Sequence, residues 1–389
     1  MKKRIVALLL VLIFAFSCLT GCGDKEDKEK KKKAKSYDDI YDMLEAMSDF
    51  KEGTATLSCD IDLGQKGVAK ITATVVNDGK NNYAISLAVD ADTEEVKMNA
   101  SVDDIAIVKD DMLYLNLGGL VKALTSVEPE IGEMLGDTKF GYFAVPLPDD
   151  FDYSEISTVV ADWMDIYTKF LKKGLADAEV EGEKDEFSVA FKDAKAYKTF
   201  ISAAADFMEG DVADYVAKKS ESLTKSNVDL NKYAEKLINY YYDDVIELAG
   251  ALGATKDQID AMVAEIKGMD LNSKLGELIE EEAGDLDSES IKRELKEAAE
   301  ELRKRTEELS DEDLSNIKTE FTVKTTDAGF KMRATVDGTV KGESAKFDIT
   351  MKISDEYDKI SAPSDLTRLR DFKDILSMIG PMLSGRLDF

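Results

Sequence analysis

Few residues in this chain could do chemistry by their type and spacing. The 389 residues hold no histidine and only three cysteines, Cys18, Cys22 and Cys59. Without histidine, no Ser-His-Asp or Cys-His arrangement can activate a nucleophile, and the cysteine and histidine ligands that zinc needs are too few. Phosphate-cradling, dinucleotide-binding and nucleophile-elbow motifs are absent from the sequence. Acidic clusters at Asp90-Asp92-Glu94-Glu95, Asp149-Asp150-Asp152 and Asp285-Asp287-Glu289 have the oxygen ligands that calcium takes. None has EF-hand spacing, so they read as solvated loops, and no metal or cofactor is expected. The 80 acidic residues offer too many carboxylate pairs to single out a glycosidase dyad. An enzyme is the least favoured class.

Cys22 stands apart. Lys2, Lys3 and Arg4 precede an unbroken apolar run, Ile5 to Phe16, which ends in Leu19-Thr20-Gly21-Cys22. A membrane-spanning helix needs about 20 apolar residues, and this run is shorter. A short apolar core behind a basic start is the pattern of a cleaved leader.

The leader resembles the bacterial lipobox, with leucine and two small residues before a cysteine. That resemblance implies cleavage after residue 21 and a diacylglycerol thioether on Cys22. Cys18 lacks small residues before it and is expected to leave with the leader. Residues 22–36 follow as a tether; Gly23 to Ser36 contains seven lysines and four acids. Such a composition cannot bury itself and is expected to be disordered.

Removing residues 1–21 takes away Lys2, Lys3 and Arg4, so the formal net charge falls from -29 to -32. Nucleic acid is therefore not expected as a partner, because phosphate binding needs a basic face. Cys59 is left as one free thiol and cannot staple the fold. A core must come from the hydrophobic 44% of the residues.

The apolar pattern supplies the elements that would build it. Ile40, Met43, Leu44 and Met47 share a helical face. The period then changes to two: Ala55, Leu57, Cys59, Ile61 and Leu63 alternate with polar residues, as do Ala69 to Val75, Tyr83 to Val89 and Val96 to Val102. IAIV and MLYLNL complete six strands in a meander with one buried face. YFAVPLPDD, with Pro146 and Pro148, reads as an edge segment. A helix around Trp163 and Phe170 and a strand through Phe187, Val189 and Phe191 come next. Helices are expected over 194–219, 228–249, 255–268 and 289–309, the last with Ile291, Leu295, Ala298, Leu302 and Leu309 on its stripe. Three more strands cover 317–323, 330–336 and 345–353, with turns at Asp327 to Gly329 and at Asp337-Gly338. A short helix with Leu376 and Ile379 closes the chain.

Segregated helices and antiparallel strands mean α+β. The economical arrangement joins the last three strands to the first six in one large sheet, and a sheet of that size tends to curl. Helices would pack in its hollow. On this order, and on the phrases DDMLYLNL, YFAVPLPDD and KISAPSD, residues 37–370 resemble the LolA-like half-barrel lipid carriers and the related mycobacterial glycolipid-carrying lipoproteins. The chain departs from them in a long helical insert, about 194–310; residues 371–389 form a tail.

The resemblance implies a curved sheet wrapping helices around an apolar cavity, but no ligand contact transfers by motif. Alternation places Tyr83, Leu87, Met98, Phe330, Met332, Phe347 and Met351 on the inward face, where they would line such a cavity or simply fill a core. Small residues there (Ala55, Ala69, Ala73, Ala100 and Ala334) would leave room. The expected protein is thus a lipid-anchored extracytoplasmic binding protein. Its partners would be membrane lipid, through Cys22, and a hydrophobic ligand. A filled envelope scaffold that contacts another envelope protein through acidic helices is the alternative. A solute-binding receptor ranks lower, because the two-lobed β-α alternation is missing.

Overall fold

The computed structural model describes residues 37–48, 52–93, 97–127, 139–149, 165–216, 229–251, 253–271, 288–340 and 343–372. Cys22, the leader and the tether lie outside the described residues. So do Trp163 and the closing helix expected around Leu376 and Ile379.

The strands are β1 (Gly53–Asp62), β2 (Gly67–Asn77), β3 (Tyr83–Thr93), β4 (Lys97–Lys109), β5 (Met112–Asn116), β6 (Tyr142–Pro146), β7 (Glu179–Glu183), β8 (Glu186–Ala190), β9 (Ile317–Thr326), β10 (Gly329–Val340), β11 (Glu343–Ser354) and β12 (Leu366–Thr367). They form one open 12-stranded sheet in the order β12-β6-β5-β4-β3-β2-β1-β11-β10-β9-β8-β7. Only the β12–β6 pair is parallel. The helices are α1 (Ile40–Ser48), α2 (Leu117–Val127), α3 (165–174), α4 (Ala194–Phe207), α5 (Leu230–Ala251), α6 (Lys256–Gly268), α7 (Ser288–Glu307) and α8 (Asp311–Ser315). The class is α+β, and the two strand blocks do merge, through β1 paired with β11.

Three local expectations need correction. IAIV is not a separate strand but the second half of β4. Between the pairs Ile85↔Ala106 and Leu87↔Val102, β4 advances four residues while β3 advances two. This bulge is held by the Asp104 N–H, which donates to Ser86 Oγ at 2.9 Å, with Asp104 in the left-handed region at φ 48. The even insertion keeps Val102 and Ala106 on one face. Asp337-Gly338 is not a turn either: β10 runs through it, pairing Gly338 with Ala345 and Ile317. Glycine there permits close approach, since a Cβ would lie 3.2 Å from the Ile317 Cα. On α7 the buried alanine is Ala299, while Ala298 is exposed.

Alternation separates the two faces of the sheet. The inner face carries Ala55, Leu57, Ala73, Val75, Val323, Met332, Met351 and Ile353, packed with Ile40, Met43, Leu44 and Met47 of α1, Phe170 and Leu171 of α3, and Tyr197 and Ala203 of α4. Helix α1 starts where Asp39 Oδ1 accepts from the Tyr41 and Asp42 N–H groups at 2.8 Å. The outer face carries Thr56, Ser58, Thr72 and Thr74, whose hydroxyls hydrogen-bond across strands. Beyond β3 the outer face has a small cluster of its own, Ala84, Ile107, Tyr114 and Ala144 under Ile360.

The insert does not lie in one place. Helix α4 packs under the β8–β11 half, with α7 docked on it through Leu295, Val212 and Ala213 and through Arg303, which bridges Asp206 and Glu209 at 2.8 and 2.7 Å. Helix α5 goes to the opposite edge. There Tyr233 Oη donates to the Pro146 carbonyl at 3.0 Å and Tyr241 Oη to the Ala144 carbonyl, while Tyr241 stacks on Phe143. These carbonyls point away from β5, where β12 no longer pairs. Pro146 has no N–H to offer on that side, so the expected edge segment is an edge strand whose acceptors are covered by tyrosines. The capping box on α6 is present, with Thr255 Oγ1 accepting from the Gln258 N–H at 3.3 Å and Gln258 Oε1 accepting from the Thr255 N–H at 2.8 Å.

Two substitutions test this architecture. Met43 is 0% exposed in the main core, so Met43→Ala is expected to lower unfolding free energy by about 2–5 kcal/mol in urea titrations. A Cβ at Gly141 would sit 1.9 Å from the Asp365 carbonyl oxygen that receives the Tyr142 N–H. Gly141→Ala should therefore cost about 1–3 kcal/mol by the same assay.

Candidate functional site

Register turns the inner face into successive rows across the sheet, and the rows differ in cover. One row is Val323-Met332-Met351-Leu57-Ala73-Leu87-Val102. Every member but Leu87 is buried; Val102 lies against α2, where a Cβ at Gly119 would meet it at 2.5 Å. The next row is Ala334-Ile349-Cys59-Ile71-Val89-Ala100, and the last is Val336-Phe347-Ile61-Ala69-Ala91-Met98. Each residue of these two rows is only half-buried. They are apolar throughout, four of the twelve being alanines.

A trough of alanine, isoleucine and valine therefore runs across β10, β11 and β1 to β4, beside the filled half of the core. Alanines leave space between larger neighbours, and Met98 at one end is a flexible filler. Apolar surface in such a place binds by excluding water, at about 25 cal/mol per Å² covered.

The seven residues expected to line a cavity fall in different places. Met98 and Phe347 lie in the outermost row of the trough. Leu87, Met332 and Met351 share the first row, in which Met332 and Met351 are core residues. Phe330 lies one row deeper, tilted against Tyr37 with ring centroids 6.1 Å apart. Tyr83 is buried at the turn end of β3. Alternation gives the face but not the row, and so it missed Ile61, Ile71, Val89 and Ile349 as trough residues. Of the small residues, Ala69, Ala100 and Ala334 are in the trough, whereas Ala55 and Ala73 are core.

Cys59 lies mid-trough. Burial raises its thiol pKa, and the charges of Asp60 and Asp348 add to the rise, so the thiol stays protonated at neutral pH. Among the described residues, no group of three His, Cys, Asp or Glu side chains comes together to hold a metal. Of the acidic clusters, Asp149 is paired with Lys232 and Lys236 at 3.2 and 2.5 Å; Glu94, Glu95, Asp150, Asp152, Asp285 and Asp287 lie outside the described residues. Two clefts bounded by described residues are lined mostly by charged side chains: one of 560 Å³ beside Lys195, Lys198 and Asp311, and one of 430 Å³ at the strand ends beside Asp60, Lys70 and Asp90, with Ile61 and Ala69 also in its lining. No described helix is long and apolar enough to cross a membrane.

No family model, curated protein or solved structure matches this chain. Its class is defined by the fold alone: an α+β protein on one open, mostly antiparallel sheet with an apolar inner face.

The thiol provides a probe of the trough. Alkylation of Cys59 by a small maleimide is expected to be slower at pH 7 than that of a model thiol, and to speed up only above the usual thiol pKa of about 8.5. A rate at pH 7 equal to the free thiol's would place Cys59 in open solvent and remove it from the trough.

Proposed function

We propose that this chain is a lipid-anchored extracytoplasmic binding protein that holds an apolar ligand, of lipid or acyl-chain type, against the inner face of its sheet. The observation that supports this most is the pair of continuous apolar rows, half-buried beside a filled core. In this reading the sheet acts as a half-barrel of the lipid-carrier kind, and its helices cover one half and leave the other to a ligand. Each methylene that enters contributes about 0.8 kcal/mol, so a long acyl chain supplies enough for stable capture. No nucleophile or cofactor takes part; the protein binds and does not convert.

A scaffold reading has its own observation. Met332 and Met351, placed on the inward face by alternation, are buried with α1 rather than lining open space. If covering elements fill the trough in the same way, the acidic helices α5 to α7 become the functional surface.

Two measurements separate these readings. Native mass spectrometry of the chain after incubation with membrane extract should show a lipid adduct, and Ala100→Phe together with Ala69→Phe should abolish it while leaving the fold intact by circular dichroism. A wild-type spectrum free of adduct, with Cys59 alkylation unchanged by the extract, would leave the scaffold. For the anchor, Cys22→Ser is expected to move the protein from the membrane fraction to the soluble one; retention in the membrane would defeat that part.

A further inference from the structure

The outer face holds an arrangement that the trough does not explain. Cross-strand register places Lys324 of β9, Lys331 of β10 and Lys352 of β11 directly side by side. Neighbouring strands are about 4.8 Å apart, so three lysines rise from the sheet in a short line. Like charges directly opposite one another in a sheet are destabilising. The formal net charge is -29, and carboxylates to pair with these lysines are abundant. Yet none of the three makes an ion pair among the described residues. Asp348, on the neighbouring strand, is gripped by the Arg333 guanidinium through two hydrogen bonds of 3.0 and 2.5 Å, and Lys331 only adds its field in holding that carboxyl below the usual range. Glu186 stands opposite Lys324 in register without an ion pair.

The same row continues beyond the lysines into hydroxyls. Lys352 pairs with Thr56, and Thr56 with Thr74, whose Oγ1 atoms are 3.3 Å apart. The adjacent row brings Thr322, Arg333, Thr350, Ser58 and Thr72. This half of the outer face thus offers a line of cations that runs into a band of hydroxyl donors, perpendicular to the strands. It is far too narrow for a nucleic-acid duplex. A flexible chain with an anion at each strand spacing would lie along it, each ammonium meeting one anion and the hydroxyls the next ones. At about 0.15 M salt the screening length is about 8 Å, so the row acts locally despite the acidity of the whole.

We propose that the row Lys324-Lys331-Lys352, with the hydroxyls of Thr56 and Thr74, is a binding site for a linear phosphate-bearing polyanion. The site is on the opposite face from the trough and does not rest on the lipid reading.

The test uses the full chain in detergent, titrated with short-chain inorganic polyphosphate by calorimetry at several salt concentrations. Affinity should fall with salt with a logarithmic slope of about -2, three contacts each contributing about 0.7. Lys331→Gln and Lys352→Gln should each weaken binding by about ten-fold, the loss of one charge-assisted hydrogen bond. Lys70→Gln, on the same face but engaged with Asp60 at 3.0 Å, should change it little. Thermal melting gives a second reading: removing a repelled lysine should leave the melting temperature unchanged or raise it. No binding at low salt, equal loss on Lys70→Gln, or a melting temperature that falls in step with affinity would each overturn the proposal. So would tighter binding to anionic lipid vesicles than to polyphosphate.

Discussion

β1 is the seam of this molecule. It pairs with β2 on one side and with β11 on the other, over nine residue pairs from Thr54↔Ser354 to Asp62↔Lys346. The hydroxyl of Thr54 also reaches the carbonyl of Glu356, 302 residues away in sequence, at 2.8 Å. Without this pairing there would be two small sheets, each with one apolar face and nothing broad enough to bury it. With it, α1, α3 and α4 have one continuous surface to cover, and the core that joins them runs from β2 to β8. Loop closure over such a span is costly for a folding chain. The reward comes only when both strand blocks are in place, so the seam should form late and cooperatively.

Given the seam, the ends of the sheet become the remaining problem, and the chain treats them differently. At β6 the open carbonyls are covered by the tyrosines of α5, and β12 pairs with the first two residues. At β7 the strand Glu179–Glu183 is exposed along its whole length and carries three glutamates. Charge on an edge strand discourages pairing with further chains. Covered acceptors at one end and repelling carboxylates at the other let a large sheet stay open without recruiting copies of itself.

The two faces then acquire separate tasks. The inner face is graded, from the fully packed row around Leu57 to the half-buried rows around Cys59 and Ile61. From β9 to β2 the outer face is polar, and register sorts three cations into one row among rows that mix cations with carboxylates. Such sorting cannot be seen along any one strand: Lys324, Lys331 and Lys352 are each unremarkable in sequence and become a line only through pairing.

Period-two alternation in β1 to β3 and in β9 to β11, and the helical stripe of α1, were legible because each element encodes its own buried face. The chemistry excluded by the lack of histidine followed from composition. What the sequence left open depends on contacts between distant segments. The merging of IAIV into β4 required the bulge beside Ser86, and the persistence of β10 through Gly338 required Ile317 and Ala345 as partners. The split of the insert to opposite ends of the sheet depended on which partner each helix found. Alternation determines which side of a sheet a side chain faces, since that is a property of one strand's pleat. Which row it occupies, and so whether it is core, trough or charged line, is decided by register, which exists only once strands have met.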